Sequence, residues 1–361
     1  INFCNFNLDD FEKIDIRILT LTELRKIFVN KGLLSFRADQ VHNWIWNKGV
    51  HSFDLMTNIS KESRSLLKLN FEINRIKFDT SQKSLDGTIK NTVKLNDNNI
   101  VEAVLIPAKN RRTACVSSQV GCSLNCKFCA TSKMKNIRNL KKDEIFDQVF
   151  LMNKQSLKYY NKPLTNIVFM GMGEPLMNYN NVLSAIDKIT DPSFLGFSPS
   201  RITISTSGIP KLIKKLADDG VKTELAVSLH SARKKIREKI MPFSSKFPLE
   251  ALKESLGYWQ NKNRKILTLE YIVWNLINDL EDDINALIEF CKGLNVKVNL
   301  IEYNPIGNND FKQAKKSVIN LYKKELGKSN ITVTIRKSRG KDIDAACGQL
   351  ANKSKNFLSL T

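Results

Sequence analysis

The chain has no long hydrophobic run. In 361 residues no window approaches the roughly 18 to 20 uninterrupted apolar residues of a membrane-spanning helix. Ile1 to Asp10 lack the basic-then-apolar pattern of a secretion signal. No membrane partner is expected, and a cytoplasmic location is. Internal repeats and low-complexity segments are missing as well, which argues against a solenoid or a disordered spacer. Acidic residues are scarce: 36 Asp and Glu face 57 Lys and Arg, a net charge of +21. That excess favours a polyanionic partner, because phosphate neutralisation dominates non-specific nucleic-acid affinity. A lysine-rich surface that merely keeps the chain in solution is the other reading. Cysteines number seven, an odd count with three inside eight residues, which suits metal or redox chemistry in a reducing compartment and not a disulfide framework.

What is present points to a large catalytic domain with a smaller one attached, as the length allows. Residues 1–76 carry apolar positions at helical spacing (Leu21, Leu24, Ile27, Phe28; Val41, Trp44, Ile45) and are expected to form a small helical domain. Residues 77–107 turn to β alternation: Asp86-Gly87 marks a turn, and Thr88–Leu95 and Ile100–Ile106 form a hairpin. From residue 108 to 346, strand patterns alternate with helical ones. The strands fall at Thr113–Ser117, Ile167–Met170, Arg201–Ser205, Thr223–Leu229, Ile266–Val273 and Val296–Ile301, and a last run spans Ile331–Arg336. Six β-then-α units with short loops predict an α/β fold, a parallel sheet curled into a partial (βα)6 barrel of the TIM type, with its chemistry on the loops after the strands. Residues 347–361 form a tail that contains Cys347.

The first of those loops holds Cys122, Cys126 and Cys129 at C-x3-C-x2-C spacing. Chance places such a triplet in a chain of this cysteine content roughly 0.003 times. A structural zinc site wants four closed ligands, and no histidine or cysteine at finger-like spacing supplies the fourth; Cys115 is the near candidate. Three thiolates on a 4Fe-4S cluster leave one iron open. With Phe128 before the last cysteine and a βα array behind it, the loop resembles the radical S-adenosylmethionine (radical-SAM) superfamily. The resemblance implies that the open iron chelates S-adenosylmethionine and that electron transfer cleaves it to a 5′-deoxyadenosyl radical.

Other loops at the same end carry groups suited to that cofactor. In Gly171-Met-Gly173-Glu174-Pro, glycine lets the backbone approach a ligand and Glu174 accepts from an ammonium group; a glycine-rich turn alone is the bland alternative. Ser205, Ser228-Leu229-His230 and Asn304 follow later strands. Singly, such residues more often cap helices. Their common location makes Gly173, Glu174, Ser205, Ser228, Leu229, His230 and Asn304 the candidate cofactor set.

Taken together, Cys115-Val-Ser-Ser-Gln-Val-Gly-Cys122, Gly171-Met-Gly-Glu-Pro-Leu176, Ser228-Leu-His230, Asp342-Ile-Asp-Ala-Ala-Cys347-Gly-Gln-Leu350 and, near the start, Phe36-Arg-Ala-Asp-Gln and Trp44-Ile-Trp46-Asn-Lys-Gly49 resemble the RlmN/Cfr family of RNA methyltransferases. The resemblance implies methylation of carbon-2 of adenosine in 23S rRNA and in some tRNAs, with two molecules of S-adenosylmethionine consumed and a reducing donor such as flavodoxin. By that resemblance Cys347 takes a methyl group from the first cofactor. The radical from the second activates that methyl for addition to the base, and Cys115 resolves the protein–RNA link through a transient disulfide. Glu102, in Val101-Glu102-Ala-Val104, matches the family's acidic residue and becomes the candidate proton acceptor. Cys4 and Cys291 read as ordinary free cysteines. The oligomeric default is a monomer.

The basic runs Arg111-Arg112, Arg138–Lys142, Arg233–Lys239 and Arg336–Lys341 are candidate phosphate contacts, some of them simply solvated faces. Two departures from the family pattern stand out: Lys133–Ile137 lacks the family's glycine before Arg138-Asn-Leu, and Trp274-Asn-Leu-Ile277 lacks one before Asn278-Asp279. Three alternatives stay open: a Cfr-type carbon-8 methyltransferase, which Pro175 argues against by resemblance, a radical enzyme with another substrate, and a non-catalytic RNA-binding metalloprotein.

Overall fold

The computed structural model describes residues 13–307 and 310–352. Cys4, the opening ten residues and most of the tail beyond Cys347 lie outside them. The chain divides into two compact units, the first running to Ile76 and including Asp187–Gly196, the second holding Lys77–Ile186 and everything from Phe197 onward.

In the first unit, a short parallel pair, β1 (Ile14–Asp15) and β2 (Phe71–Glu72), brackets helices α1 (Leu21–Asn30), α2 (Ser35–Asn43) and α3 (Lys61–Asn70). Helix α1 starts where Thr20 and Glu23 cap each other: Thr20 N–H donates to Glu23 at 2.7 Å and Glu23 N–H to Thr20 Oγ1 at 3.2 Å. This reciprocal arrangement satisfies two otherwise orphaned donors. Leu24, Phe28, Val41 and Ile45 are buried, the 3.6-residue stripe that the spacing predicts. The helix continues past α2 as one π-type turn, Trp44–Lys48, closed by Gly49 at φ 70°. There Trp46 is buried, with the Arg17 guanidinium 5.4 Å from its ring centre and the Lys188 ammonium 3.8 Å away.

The second unit is built on one ten-stranded sheet. Its first four strands, β3 (Lys77–Lys83), β4 (Ile89–Lys94), β5 (Ile100–Ala108) and β6 (Arg111–Cys115), form an antiparallel meander. The expected hairpin is thus three strands long and runs without a break into the barrel. Strand β3 shows no apolar alternation because it is the polar, exposed edge; its lysines oppose pairing with another chain. A two-stranded ribbon, β7 (Gln119–Val120) with β8 (Arg138–Asn139), sits in the first loop.

From β6 the sheet is parallel: β9 (Asn166–Phe169), β10 (Ile202–Thr206), β11 (Glu224–Ser228), β12 (Leu267–Ile272), β13 (Val296–Ile301) and β14 (Thr332–Arg336) follow side by side in sequence order. The helices between them are α4 (Lys142–Tyr160), α5 (Tyr179–Thr190), α6 (Pro210–Asp218), α7 (Lys234–Ile240), α8 (Leu249–Asn263), α9 (Glu281–Cys291) and α10 (Lys316–Lys328). Six βα units and a seventh strand make an incomplete barrel. Central strands are buried on both faces, as Leu-Thr-Leu-Glu-Tyr-Ile of β12 shows, which is why they read as near-continuous apolar runs. Among the described residues no helix is long and apolar enough to cross a membrane.

Candidate active site

The chemistry gathers on the loops after the parallel strands, where barrels of this kind present it. Strand β6 ends at Cys115, and the polar residues that follow lock the first loop to the second. Ser117 N–H donates to Gln148 Oε1 at 2.8 Å, Ser118 N–H to the Met172 carbonyl at 2.8 Å, and Glu174 N–H to Gln119 Oε1 at 2.8 Å. This contact is so close that a Cβ on Gly171 would sit 2.7 Å from Ser117 Oγ, and one on Gly173, at φ 96°, would sit 2.5 Å from the Gln119 Cβ. Glycine is required at both positions for approach, and at Gly173 for conformation too.

One cavity is lined by Cys122, Cys126, Cys129, Gly173, Glu174, Ser205, Ser228, His230, Asn304 and Cys347. Leu229 is not on its wall. It is fully buried, its N–H donating to the Glu270 carbonyl at 3.1 Å and its carbonyl accepting from Arg237, so its part is to hold the backbone between Ser228 and His230.

The three thiols of the loop are held by local bonds. Ser132 Oγ donates to the carbonyls of Cys126 and, at 2.7 Å, of Cys129. Phe128 stands edge-on to His230 with ring centres 4.7 Å apart. Burial pushes the Cys122 thiol up to about 11 and raises Cys126 and Cys129 too, with the other thiols adding to the rise. Such thiols ionise when a cation shares the site. Among the described residues no three His, Cys, Asp or Glu side chains converge closely enough for a single ion. Three cysteines on one cavity wall are a soft thiolate donor set, and that chemistry fits an iron-sulfur cluster.

Glu174 is 2% exposed. Its carboxylate accepts from Ser207 N–H at 2.7 Å and Leu176 N–H at 3.1 Å, and the side chains of Thr206 and Ser207 bond to it as well, which makes it an anionic acceptor on the cavity wall. Burial raises its pKa and those amide bonds oppose the rise. His230, at φ 56°, accepts from Ile272 N–H through Nδ1 at 3.2 Å; burial and the nearby Arg237 push it down to about 3, so its ring is neutral. Asn304 donates through Nδ2 to the Cys347 carbonyl at 3.2 Å, and its buried Oδ1 has no partner among the described residues, an acceptor on the cavity wall.

A second cavity of about 700 Å³ adjoins the first; Cys129, Thr131, Glu270, Arg336, Cys347 and Gly348 line both. Cys115 opens into the second one, with Arg111, Lys297, Lys337 and Arg339 around it. Cys115 and Cys347 are free thiols. Burial first, and the Cys347 charge second, push the Cys115 thiol up to about 12, against the pull of Arg336. Arg336 itself is raised by Cys347, Glu270 and Cys115.

The tail is stitched down along its length. Asp342 accepts from Ser84 Oγ at 2.6 Å and Leu85 N–H at 3.1 Å. The Gly348 carbonyl accepts from Ala130 N–H at 2.7 Å, the Leu350 carbonyl from Thr131 Oγ1 at 2.7 Å, and Gln349 Nε2 donates to the Pro305 carbonyl at 3.1 Å. Glu102 belongs to this stitching: it lines neither cavity and accepts from Ala351 N–H at 2.9 Å.

Two arginines from the basic runs are structural. Arg237 is buried and donates to the carbonyls of Ser207, Ser228 and Leu229, tying the loops after β10 and β11 to α7, and burial lowers its pKa to about 10. Arg138 is spent on Glu144 and Asp97. Of the two departures from the family pattern, the second has a visible cost: Leu276 occupies a left-handed conformation at φ 60° with its side chain 87% exposed. In Lys133–Ile137 no residue has positive φ, so that loop needs no glycine; its backbone lies over Gly121, where a Cβ would meet the Lys135 carbonyl.

Residues 116–291 match the family model described as the radical SAM superfamily. A solved structure described as a radical SAM methyltransferase from Sphaerobacter thermophilus shares the fold with TM-score 0.87 and 33% identity, covering 93% of this chain and 99% of that one. An incomplete barrel whose first loop carries three cysteines on a cavity wall thus defines a radical-SAM enzyme, and the expected fold is the observed one. Residues 14–73 match the model described as the ribosomal RNA large subunit methyltransferase N-terminal domain. Proteins described as probable dual-specificity RNA methyltransferase RlmN are 62% identical in Christiangramia forsetii, over 95% of this chain and 97% of that one, and 58% identical in Flavobacterium psychrophilum, over 95% and 99%. The chain belongs to the RlmN family of radical-SAM methyltransferases. Membership implies S-adenosylmethionine and an iron-sulfur cluster as cofactors.

Proposed function

We propose that this enzyme methylates carbon-2 of adenosine in RNA, with 23S rRNA and tRNA as substrates, through a methyl group carried on Cys347. The observation that carries the reading is the position of Cys347 on the wall common to two cavities, one bearing Cys122, Cys126 and Cys129 and the other Cys115. The relatives' description as dual-specificity RNA methyltransferases supports RNA as the substrate. Arg111, Lys297 and Lys337 around the second cavity suit phosphate.

In this reading Cys122, Cys126 and Cys129 hold a 4Fe-4S cluster. Gly173, Glu174, Ser205, Ser228, His230 and Asn304 bind S-adenosylmethionine, with Glu174 facing its ammonium group. The cluster, when bound, supplies the electron that turns the cofactor into a hydrogen-abstracting radical. Cys347 attacks the methyl of one cofactor molecule and presents the resulting thioether to that radical when a second molecule binds. The carbon radical left on Cys347 adds to carbon-2 of the base, and the adduct loses the carbon-2 proton and one electron, which a bound cluster would take back. Cys115 then attacks the Cys347 sulfur, the carbon–sulfur bond breaks with its electron pair left on carbon, and that carbon takes a proton to become the new methyl group. A Cys115–Cys347 disulfide remains for reduction. We further infer a cytoplasmic monomer reduced by a flavodoxin-like donor.

The test is reconstitution without oxygen, reaction with S-adenosylmethionine, reductant and unmodified ribosomal RNA, and mass spectrometry of the nucleosides beside a Cys347→Ala variant. Cys347-dependent 2-methyladenosine supports the reading. Product that is 8-methyladenosine moves the enzyme to the carbon-8 subgroup, and cofactor cleavage with no methylated base rejects the proposal.

A further inference from the structure

Glu102 lies on β5 and is 1% exposed. Its backbone belongs to the barrel: the N–H donates to Met172 Sδ at 3.2 Å, and the carbonyl accepts from Ser117 Oγ at 2.6 Å, which in turn accepts from Met172 N–H at 2.8 Å. Its side chain reaches to the other end of the chain. Oε2 accepts from Ala351 N–H at 2.9 Å and Asn352 N–H at 3.3 Å, and Asn352 Nδ2 donates to the Ile100 carbonyl at 2.6 Å. Lys90, on the neighbouring strand β4, places Nζ 3.6 Å from Oε1, with both side chains buried.

A buried carboxylate next to a buried ammonium is favourable only where hydrogen bonds also satisfy its oxygens; here two consecutive backbone donors satisfy Oε2, while Oε1 has the Lys90 ammonium at 3.6 Å and no hydrogen bond among the described residues. Bonds from N–H groups to an ionised acceptor are stronger than neutral ones, and backbone donors at such a position would otherwise be left without partners. The same carboxylate lines neither the thiol-ringed cavity nor the cavity holding Cys115. Oε2 is turned towards the tail and Oε1 towards Lys90, so a proton-transfer role for Oε2 would require residues 351–352 to let go first.

We propose that Glu102 is a positioning residue, a latch that fixes residues 351–352 to β5 and so sets where Cys347 stands between the two cavities. Cys347 precedes Ala351 by four residues. The intervening stretch is pinned to the cluster loop through Gly348 and Leu350, so the latch fixes the end of a short strap whose other contacts hold its middle. Ser117 and Met172 couple the latch to the loops beside the cysteines. The significance of the strap rests on the reading of Cys347 as the methyl carrier, but the latch itself is measurable without any methyl transfer.

The experiment compares the full chain, reconstituted without oxygen, as wild type, Glu102→Gln, Glu102→Ala and a paired Glu102→Leu/Lys90→Met variant that removes the buried ion pair as a unit. Hydrogen exchange of the peptide spanning 345–352, alkylation of Cys347 by iodoacetamide and methylated product are followed. The Gln oxygen still accepts from the two N–H groups, so this variant keeps tail protection and product within about threefold of wild type, whereas the Ala and paired variants speed exchange and alkylation about tenfold or more. Exchange in β9 to β13 stays unchanged. Wild-type protection of the tail in the Ala and paired variants overturns the latch. Wild-type protection with no product in Glu102→Gln overturns it as well, and assigns the carboxylate to a proton step. Loss of product in every variant and in wild type, with the exchange pattern as expected, leaves the latch standing and rejects the methyltransferase reading instead.

Discussion

Asn304 holds the backbone of Cys347: its Nδ2 donates to the Cys347 carbonyl at 3.2 Å while its Oδ1 stays buried and unpaired on the wall of the cavity. One amide therefore steadies the backbone at Cys347 and leaves an acceptor for a ligand donor. Asn304→Leu removes both, and a lost hydrogen bond of about 1 kcal/mol on each side weakens S-adenosylmethionine binding about fivefold and speeds alkylation of Cys347. Calorimetric titration and thiol labelling measure the two effects separately.

Iron content separates the two classes of cysteine. The reconstituted wild type is expected to hold about four irons and as many sulfides, the content of a three-thiolate cluster of the radical type. Replacement of Cys122, Cys126 or Cys129 by Ala abolishes most of it, while Cys115→Ala and Cys347→Ala retain it and lose product. An iron assay on the five variants decides the matter, and full iron in Cys126→Ala would remove the loop from the cluster.

Leu276 stands at φ 60° and is 87% exposed, held by its N–H, which donates to Asp279 Oδ2 at 2.9 Å and which glycine would keep. A left-handed conformation costs a branched side chain about 1 to 2 kcal/mol, part of which glycine returns as unfolded-state entropy. Leu276→Gly should therefore raise stability by about 0.5 to 1 kcal/mol. Denaturant unfolding of the two proteins would show a higher midpoint at unchanged slope.

His230 should make the protein acid-sensitive. Its folded pKa of about 3 lies below the ordinary 6.5, so the unfolded chain binds the proton first. The contribution is complete above pH 6.5 and falls as the pH drops towards 3. Between pH 7.5 and 5.5 this one group removes about 1.4 kcal/mol. His230→Asn keeps the left-handed backbone preference and offers Oδ1 in place of Nδ1 to the Ile272 N–H. Its stability between those two pH values should be flatter by that amount, and an equal slope in both proteins would contradict the assignment.

Much of this architecture was legible because buried strands announce themselves. The expected Val296–Ile301 is the observed β13, and the expected Ile266–Val273 encloses β12. Strand β3 was not legible, since an exposed polar edge needs no alternation. The cysteine loop and the tail motif stood out by spacing and resemblance. Arg237 did not: a basic run reads as solvated, and the sign that it was not, its place three residues before the buried Ile240 on one helix face, is weak. Arg336 was visible only as a basic residue at the end of the last strand; its place beside Cys115, Cys347 and Glu270 depends on a tail folding back across the barrel mouth, which no local pattern encodes.

That fold-back also orders assembly in time. The bonds from the tail to Glu102 and Ile100 span about 250 residues of chain, whereas β6 needs only β9 and the meander to be seated. During synthesis the nascent barrel can form and the cysteine loop can settle before the last residues leave the ribosome, and the large loop closure that brings the tail home comes at the end. The cysteine loop can thus be in place before the stretch that carries Cys347 is laid against it through Gly348 and Leu350.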